Sequence, residues 1–131
     1  MSQENVDLVT GGYDDFNSGN VEGVIARFDP GIEWIEPGGG NAPSGTFNGP
    51  DGVAKGVFGA VPANFDDFSC TVENTSDQGD TVVTRVRFRG RNKNGAELDV
   101  EAEHAWEVRD GQITRFENKV DDRGAWSSGW S

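Results

Sequence analysis

The chain has 131 residues, 34% of them hydrophobic, and its 23 acidic and 11 basic side chains give a formal charge of −12. That length holds one core but not two, so a single domain over residues 1–131 is expected, and the charge repels nucleic acid and anionic membrane surfaces. Many Asp residues beside only three lysines, Lys55, Lys93 and Lys119, point to adaptation to high salt, where self-repulsion is screened.

One cysteine, Cys70, excludes an intramolecular disulfide and fits a reducing compartment. The N-terminal MSQENVDLV has no basic region or apolar run, and nothing approaches the roughly 20 apolar residues that span a bilayer. A soluble cytoplasmic protein is expected.

Val6, Val9, Tyr13 and Phe16 recur at spacings of three and four, which predicts an amphipathic helix over residues 3–17 that stops at Ser18-Gly19. Asn20 is a good N-cap, and Val21, Val24, Ile25 and Phe28 form the stripe of a short second helix ending before Pro30. Residues 31–37 alternate as a strand; with Ile32 and Trp34 inward, Glu36 also faces inward at its end. The glycine-rich loop over residues 38–45 is expected to rim whatever Glu36 faces. It lacks the Lys-Ser/Thr pair and the directly following helix that a phosphate-binding loop requires. Gly49-Pro50-Asp51 starts a third helix, with Val53, Val57, Phe58 and Val61 as its stripe, until Pro62.

From there the pattern has period two. Phe68, Cys70 and Val72 alternate in one strand, residues 74–80 make a turn, and Val82, Thr84, Val86 and Phe88 alternate in the next with Arg85, Arg87 and Arg89 outward. Asn92-Lys93-Asn94-Gly95 is a hairpin turn. Residues 98–121 read as two strands joined at Arg109-Asp110-Gly111-Gln112. Leu98, Val100, Ala102, His104, Trp106 and Val108 face inward on the first, and Thr114, Phe116, Asn118 and Val120 on the second, with Ile113 breaking the alternation. The arginines should lie opposite Glu101, Glu103 and Glu107 as a ladder of exposed ion pairs. His104 and Asn118 are polar groups on an apolar face. An unpartnered buried polar group costs about 1–3 kcal/mol, so these two either meet partners or line a cavity. Residues 122–131 have the composition of a flexible tail, with Trp126 and Trp130 as anchors for a pocket mouth or a partner surface.

Three helices followed by a mostly antiparallel sheet describe an α+β domain whose strongly curved sheet wraps its longest helix. The residues resemble the NTF2-like, or cystatin-like cone, superfamily, and within it the SnoaL-like proteins and the ketosteroid isomerases. The resemblance is carried by YDDFNSGNVEGVIARFDPGIEWIEP (13–37), SGTFNGPDGV (44–53), GDTVVTRVRFRG (79–90) and HAWEVRDGQITRFENKVD (104–121). It implies a cone-shaped α+β barrel and a homodimer packed through the outer sheet face. It also implies that Glu36-Pro37 stands where ketosteroid isomerases keep an aspartate base followed by proline. His104 matches their oxyanion donor and the pocket histidine of SnoaL-like cyclases, and Asn118 falls where those cyclases carry an acidic catalyst. The sequence departs from both patterns: the isomerase tyrosine aligns at Gly12, one residue from Tyr13, and Asn118 cannot take a proton. No inward arginine matches the Asp-Arg-Asp set of limonene-epoxide-type hydrolases.

On this reading Glu36 is a general base with a pKa raised by an apolar surround, and His104 donates to a developing enolate oxygen. Asn118 or Tyr13 orients the substrate. Trp34, Trp106, Phe116 and Val120 grip a small, flat apolar carbonyl compound. No cofactor is expected, and one histidine with one inward cysteine supplies too few ligands for a tight zinc site. The alternative is a ligand-binding or dimerisation module that keeps the cone without the chemistry.

Overall fold

Period-two alternation over most of the C-terminal half builds the long strands of one curved, open sheet, and the 3.6-period stripes before it lie against that sheet's concave side. The computed structural model describes residues 2–131, the side chain of Ser2 excepted. Helices α1 (Ser2–Asn17) and α2 (Val21–Ile25) lead into strands β1 (Phe28–Pro37) and β2 (Ser44–Asn48). A helical segment follows, made of α3 (Gly49–Val53), a π-helical turn (Ala54–Phe58) and α4 (Ala60–Asn64). Strands β3 (Phe65–Gln78), β4 (Thr81–Asn92), β5 (Glu97–Arg109) and β6 (Gln112–Val120) precede a last helix, α5 (Arg123–Gly129). The strand order is β2-β1-β6-β5-β4-β3. Only β1 and β6 run parallel; the other neighbours are antiparallel.

Helix α1 buries Val9 and Tyr13 against the sheet, as its stripe predicts. Asn17 fixes its C-terminal end by bonding both ways to the backbone of Cys70: Nδ2 donates to the carbonyl at 2.8 Å and Oδ1 accepts from the amide at 3.0 Å. The expected inward residues Ile32, Trp34 and Glu36 are all buried. The β5–β6 turn places Asp110 at φ 52° and Gly111 at φ 75°, the left-handed pair that a tight two-residue hairpin demands.

Several boundaries differ from those predicted. Helix α2 ends at Ile25, and Phe28 opens β1 opposite Ile113. Pro30, which disfavours helix at the residue before it, thus lies inside the strand. The third apolar stripe is divided, because Gly59 N–H reaches back five residues to the Ala54 carbonyl, at 2.9 Å, and so forms the π-turn. Pro62 then sits in the first turn of α4, where its missing N–H would have no helical partner. Strand β3 continues to Gln78, so the turn expected over 74–80 contracts to Gly79-Asp80. Thr114 is not inward. A bulge pairs Ile113 with Val108 and Arg115 with Glu107, and the extra residue lets both Ile113 and Phe116 face the core.

The outer arginines form ion pairs, with a shifted partner set. Arg87 meets Asp99 at 2.7 Å, Arg85 meets Asp121 and, at 3.8 Å, Glu101, and Glu107 is taken by Arg115 at 3.4 Å. Long side chains reach diagonally, so strict opposition did not decide the partners.

The C-terminal segment is not a flexible tail. Asp122 caps α5 by accepting from the Ala125 amide at 3.0 Å, and Trp126 and Trp130 are each only 2% exposed. Composition rich in Ser and Gly concealed a helix whose small residues are needed for close approach. A Cβ on Gly129 would stand 2.5 Å from Leu98 Cδ1 and 3.1 Å from Leu98 Cα. The glycine loop after β1 packs on this helix: Asn41 N–H donates to the Trp130 carbonyl at 3.1 Å, and a Cβ on Gly40 would meet the Ser127 carbonyl at 2.6 Å. Gly129→Ala is therefore expected to displace α5 and destabilise the protein by about 1–3 kcal/mol, as overpacking does. Urea unfolding checks this, and an unchanged midpoint would show that α5 shifts without cost.

Candidate functional site

Inward side chains from α1, β1, β4, β5 and β6 meet in one buried hydrogen-bonded chain. Glu36 ends β1 on the same face as Trp34, two residues back, and Trp34 Nε1 donates to Glu36 Oε2 at 2.6 Å. Asn118 Nδ2 donates to Glu36 Oε1 at 3.0 Å. Asn118 and His104 are direct cross-strand partners on β6 and β5, and His104 Nε2 lies 3.1 Å from Asn118 Oδ1. On the far side His104 Nδ1 is 2.6 Å from the Tyr13 hydroxyl. That hydroxyl also meets Thr84 Oγ1 at 2.7 Å and accepts from Trp106 Nε1 at 3.0 Å. Thr84 is the cross-strand partner of His104 on β4. Period-two geometry thus lines up Thr84, His104 and Asn118 across three strands, and helix α1 lays Tyr13 over them.

The donor inventory fixes the direction of every link. An ionised Glu36 only accepts, so Asn118 turns its amide nitrogen to Glu36 and its oxygen to His104. That oxygen requires a proton on Nε2, which leaves Nδ1 of a neutral imidazole to accept from Tyr13. The Tyr13 oxygen then accepts from Trp106 and Thr84.

Burial governs the charges. Glu36 is 8% exposed, His104 3% and Asn118 5%. Desolvation raises the Glu36 pKa to about 7, against the opposing pull of the Asn118 and Trp34 hydrogen bonds. Desolvation likewise lowers His104 to about 3, with the Asn118 bond acting the other way, so the imidazole is neutral at neutral pH. Burial pushes Tyr13 well above its ordinary range, and it does the same to the Cys70 thiol, helped by the Glu36 charge.

The chain borders a cavity of about 80 Å³. Glu36, His104, Asn118, Tyr13, Trp34, Trp106 and Phe116 all line it. Val120, expected to grip a ligand, is not among the lining residues: it is half-buried opposite Ala102 and packs against the core. His104 also departs from its expected part, since both ring nitrogens already have partners and neither is a spare donor.

Sequence reasoning missed Thr84 and Arg27, and it gave Trp126 and Trp130 only as anchors for a pocket mouth or a partner surface. Thr84 had the right parity, but a threonine in an apolar alternation reads as packing. Trp126 and Trp130 line the cavity from α5, and neither indole N–H has a hydrogen-bond partner among the described residues. Arg27 also reaches the lining; its guanidinium is occupied by the Leu8 and Gly23 carbonyls and by Asp15, at 2.9, 2.8 and 2.7 Å.

Comparison with known proteins agrees with this architecture. A family model for the SnoaL-like domain matches residues 9–116. TerC, solved as a co-crystal with polyporic acid, is 25% identical and superposes with a TM-score of 0.86 over 98% of this chain and 99% of that one. An NTF2-like protein of unknown function from Burkholderia pseudomallei is 21% identical, with a TM-score of 0.88 and 98% of each chain covered. A putative SnoaL-like polyketide cyclase from Jannaschia sp. is 19% identical, with a TM-score of 0.79 over 98% of this chain and 93% of that one. Likenesses at the latter two identities show the fold. No protein of curated function matches. Matched over most of its length and carrying the NTF2-like, cystatin-like fold, the chain belongs to the SnoaL-like domain family.

Proposed function

We propose that the cavity binds a small apolar carbonyl compound and that Glu36 moves a proton on it without a cofactor, as an isomerase, cyclase or lyase does. A buried carboxyl group on the wall of an apolar cavity, held by Trp34 and Asn118, carries this reading. A carboxylate has about four lone-pair sites, and the two protein donors leave capacity for a substrate proton. In the step proposed, a Glu36 oxygen takes a proton from the carbon beside the carbonyl, the C–H electron pair moves into an enolate, and the neutral Glu36 acid returns the proton at a second carbon. A base with a pKa of about 7 suits both halves of that cycle near neutrality.

Within this reading Asn118, His104 and Tyr13 act as positioning residues. Their one-way chain keeps the Asn118 amide turned toward Glu36. The family resemblance gave His104 the task of binding the oxyanion; its engaged nitrogens favour the holding role instead. The same observation lends some support to the second reading, a ligand-binding module without chemistry.

A β,γ-unsaturated cyclohexenone separates the two. Turnover to its conjugated isomer, followed by ultraviolet absorbance, is expected to rise through about pH 7 and to fall by about 10²-fold or more in Glu36→Gln. Binding without isomerisation, or equal turnover by the variant, would remove Glu36 from the role of base.

A stability measurement tests the burial itself. Folded Glu36 holds its proton to about pH 7 against an ordinary 4.5. Folding thus favours the protonated form, and the stability this gives is complete below about 4.5 and lost as pH rises through 7. His104, lowered from 6.5 to about 3, acts oppositely: its contribution is complete above 6.5 and lost as pH falls through 3. Between 4.5 and 6.5 the two slopes cancel. Glu36→Gln should uncover the His104 slope, gaining about 1.4 kcal/mol per pH unit relative to the unmodified protein across that window. Urea unfolding at stepped pH reads the difference, and parallel profiles for the two proteins would refute the burial of a titrating Glu36.

A further inference from the structure

Most of the cavity wall is closed to solvent, and the exceptions cluster. Among the residues that line it, Phe16, Arg27, Val61 and Phe68 are half-buried and all the others are buried. Arg27 is pinned by the Leu8 and Gly23 carbonyls and by Asp15. The other three are apolar and come from the end of α1, from α4 and from the start of β3. Their ring centres place them together: Phe16 lies 5.9 Å from Phe68 and 5.8 Å from Phe58, which shares the helical segment with Val61.

From that cluster two rows of rings lead inward to the polar chain. Phe58 stands 5.5 Å from Trp34, the donor to Glu36. Phe68 stands 5.7 Å from Phe88, and Phe88 stands 5.4 Å from His104. A path walled by uncharged rings offers a charged ligand nothing in exchange for its hydration. The remaining sides are held shut. The strands are joined by their hydrogen-bond ladders, and Asn17 fastens the end of α1 to Cys70 in both directions. Asn92 and Asn41 bond to the Gly129 and Trp130 carbonyls of the C-terminal segment. The helical segment from α3 to α4 is different: its one described side-chain hydrogen bond, from Asn64 Nδ2 to the Ala60 carbonyl at 2.8 Å, is internal. It also contains the π-turn, an irregularity that recurs at functional sites.

We infer that neutral ligands enter the cavity between Phe16, Val61 and Phe68, and that the helical segment carrying Phe58 and Val61 is the side that moves to admit them. This rests on the cavity's being the ligand site, as proposed above, and is independent of the chemistry of Glu36. Helix α1 is then the fixed post of the entrance and α4 its door. The entrance selects for uncharged molecules before any of them reaches Glu36.

Fluorobenzene, a neutral single ring, tests this on the full chain, with binding and release rates read by fluorine-19 magnetisation transfer. A residue at an entrance alters passage more than the bound state. Val61→Ala is therefore expected to raise both rates by about tenfold and Val61→Phe to lower both by about as much, with Kd held within about twofold. Rates indifferent to both variants, or a change in release alone with a matching change in Kd, would overturn the entrance while the cavity stands as a ligand site. Failure of fluorobenzene to bind the unmodified protein would overturn both. Amide hydrogen exchange needs no variant. In the unmodified protein Val57 to Val61 should exchange at least about tenfold faster than Val9 to Tyr13 of α1, as expected of a segment that opens locally, and equal protection of the two would show that the door does not move.

Discussion

Desolvation of the Glu36 carboxyl group is the constraint to which the rest of the site answers. A carboxylate removed from water must be hydrogen-bonded or protonated, and here it is half of each: two donors reach it, yet burial outweighs them and lifts its pKa to about 7. Its two partners then inherit restrictions. Trp34 is committed to it through an in-strand contact, and Asn118 must present nitrogen rather than oxygen. From Asn118 the restriction passes to the tautomer of His104 and on to the hydroxyl of Tyr13. An asparagine in the middle of this chain separates the two titrating groups. A carboxyl group there would form a second acid within about 3 Å of Glu36, and two like charges at that distance cannot both ionise.

The fold serves this chain through irregularity as much as through regular pairing. Straight alternation sets Thr84, His104 and Asn118 side by side across β4, β5 and β6. Phe116 reaches the same face beside Ile113 because of the bulge at Thr114. A larger register irregularity in β1, between Phe28 and Glu33, precedes the stretch that delivers Trp34 and Glu36. The π-turn belongs with these: Val57 and Phe58 lie in it, and both line the cavity. Bulges tighten local twist and bend strands, which is how an open sheet curls far enough for one cavity to be lined by every strand from β1 across to β3.

Much of this was written in two periodicities. Parity alone put His104, Asn118, Glu36 and Trp34 indoors, and the stripe of α1 put Tyr13 beside them. What parity cannot express is the extra residue in a bulge, so it predicts Thr114 inward where the strand turns Ile113 and Phe116 to the core instead. Nor can it say how deep a strand end lies, so it predicts Val120 at the cavity, where the lining does not include it. The C-terminal helix was hidden for a different reason. Ser and Gly there look like freedom, but the close contact between Gly129 and Leu98 shows small residues admitting close packing. Partner choice was equally invisible: the residue types gave His104 two donor or acceptor positions, and only the tertiary placement of Tyr13 showed that both are spent.

The acidic composition takes on a positional meaning at the sheet margin. Strand β3 is an edge strand 14 residues long, and a long unpaired edge invites another chain to extend the sheet. Asp66, Asp67, Glu73 and Asp77 all stand exposed along it. Two copies brought edge to edge would set these carboxylates against one another, so the charge that looks like a property of the whole chain also guards the one long edge from uncontrolled β-sheet growth.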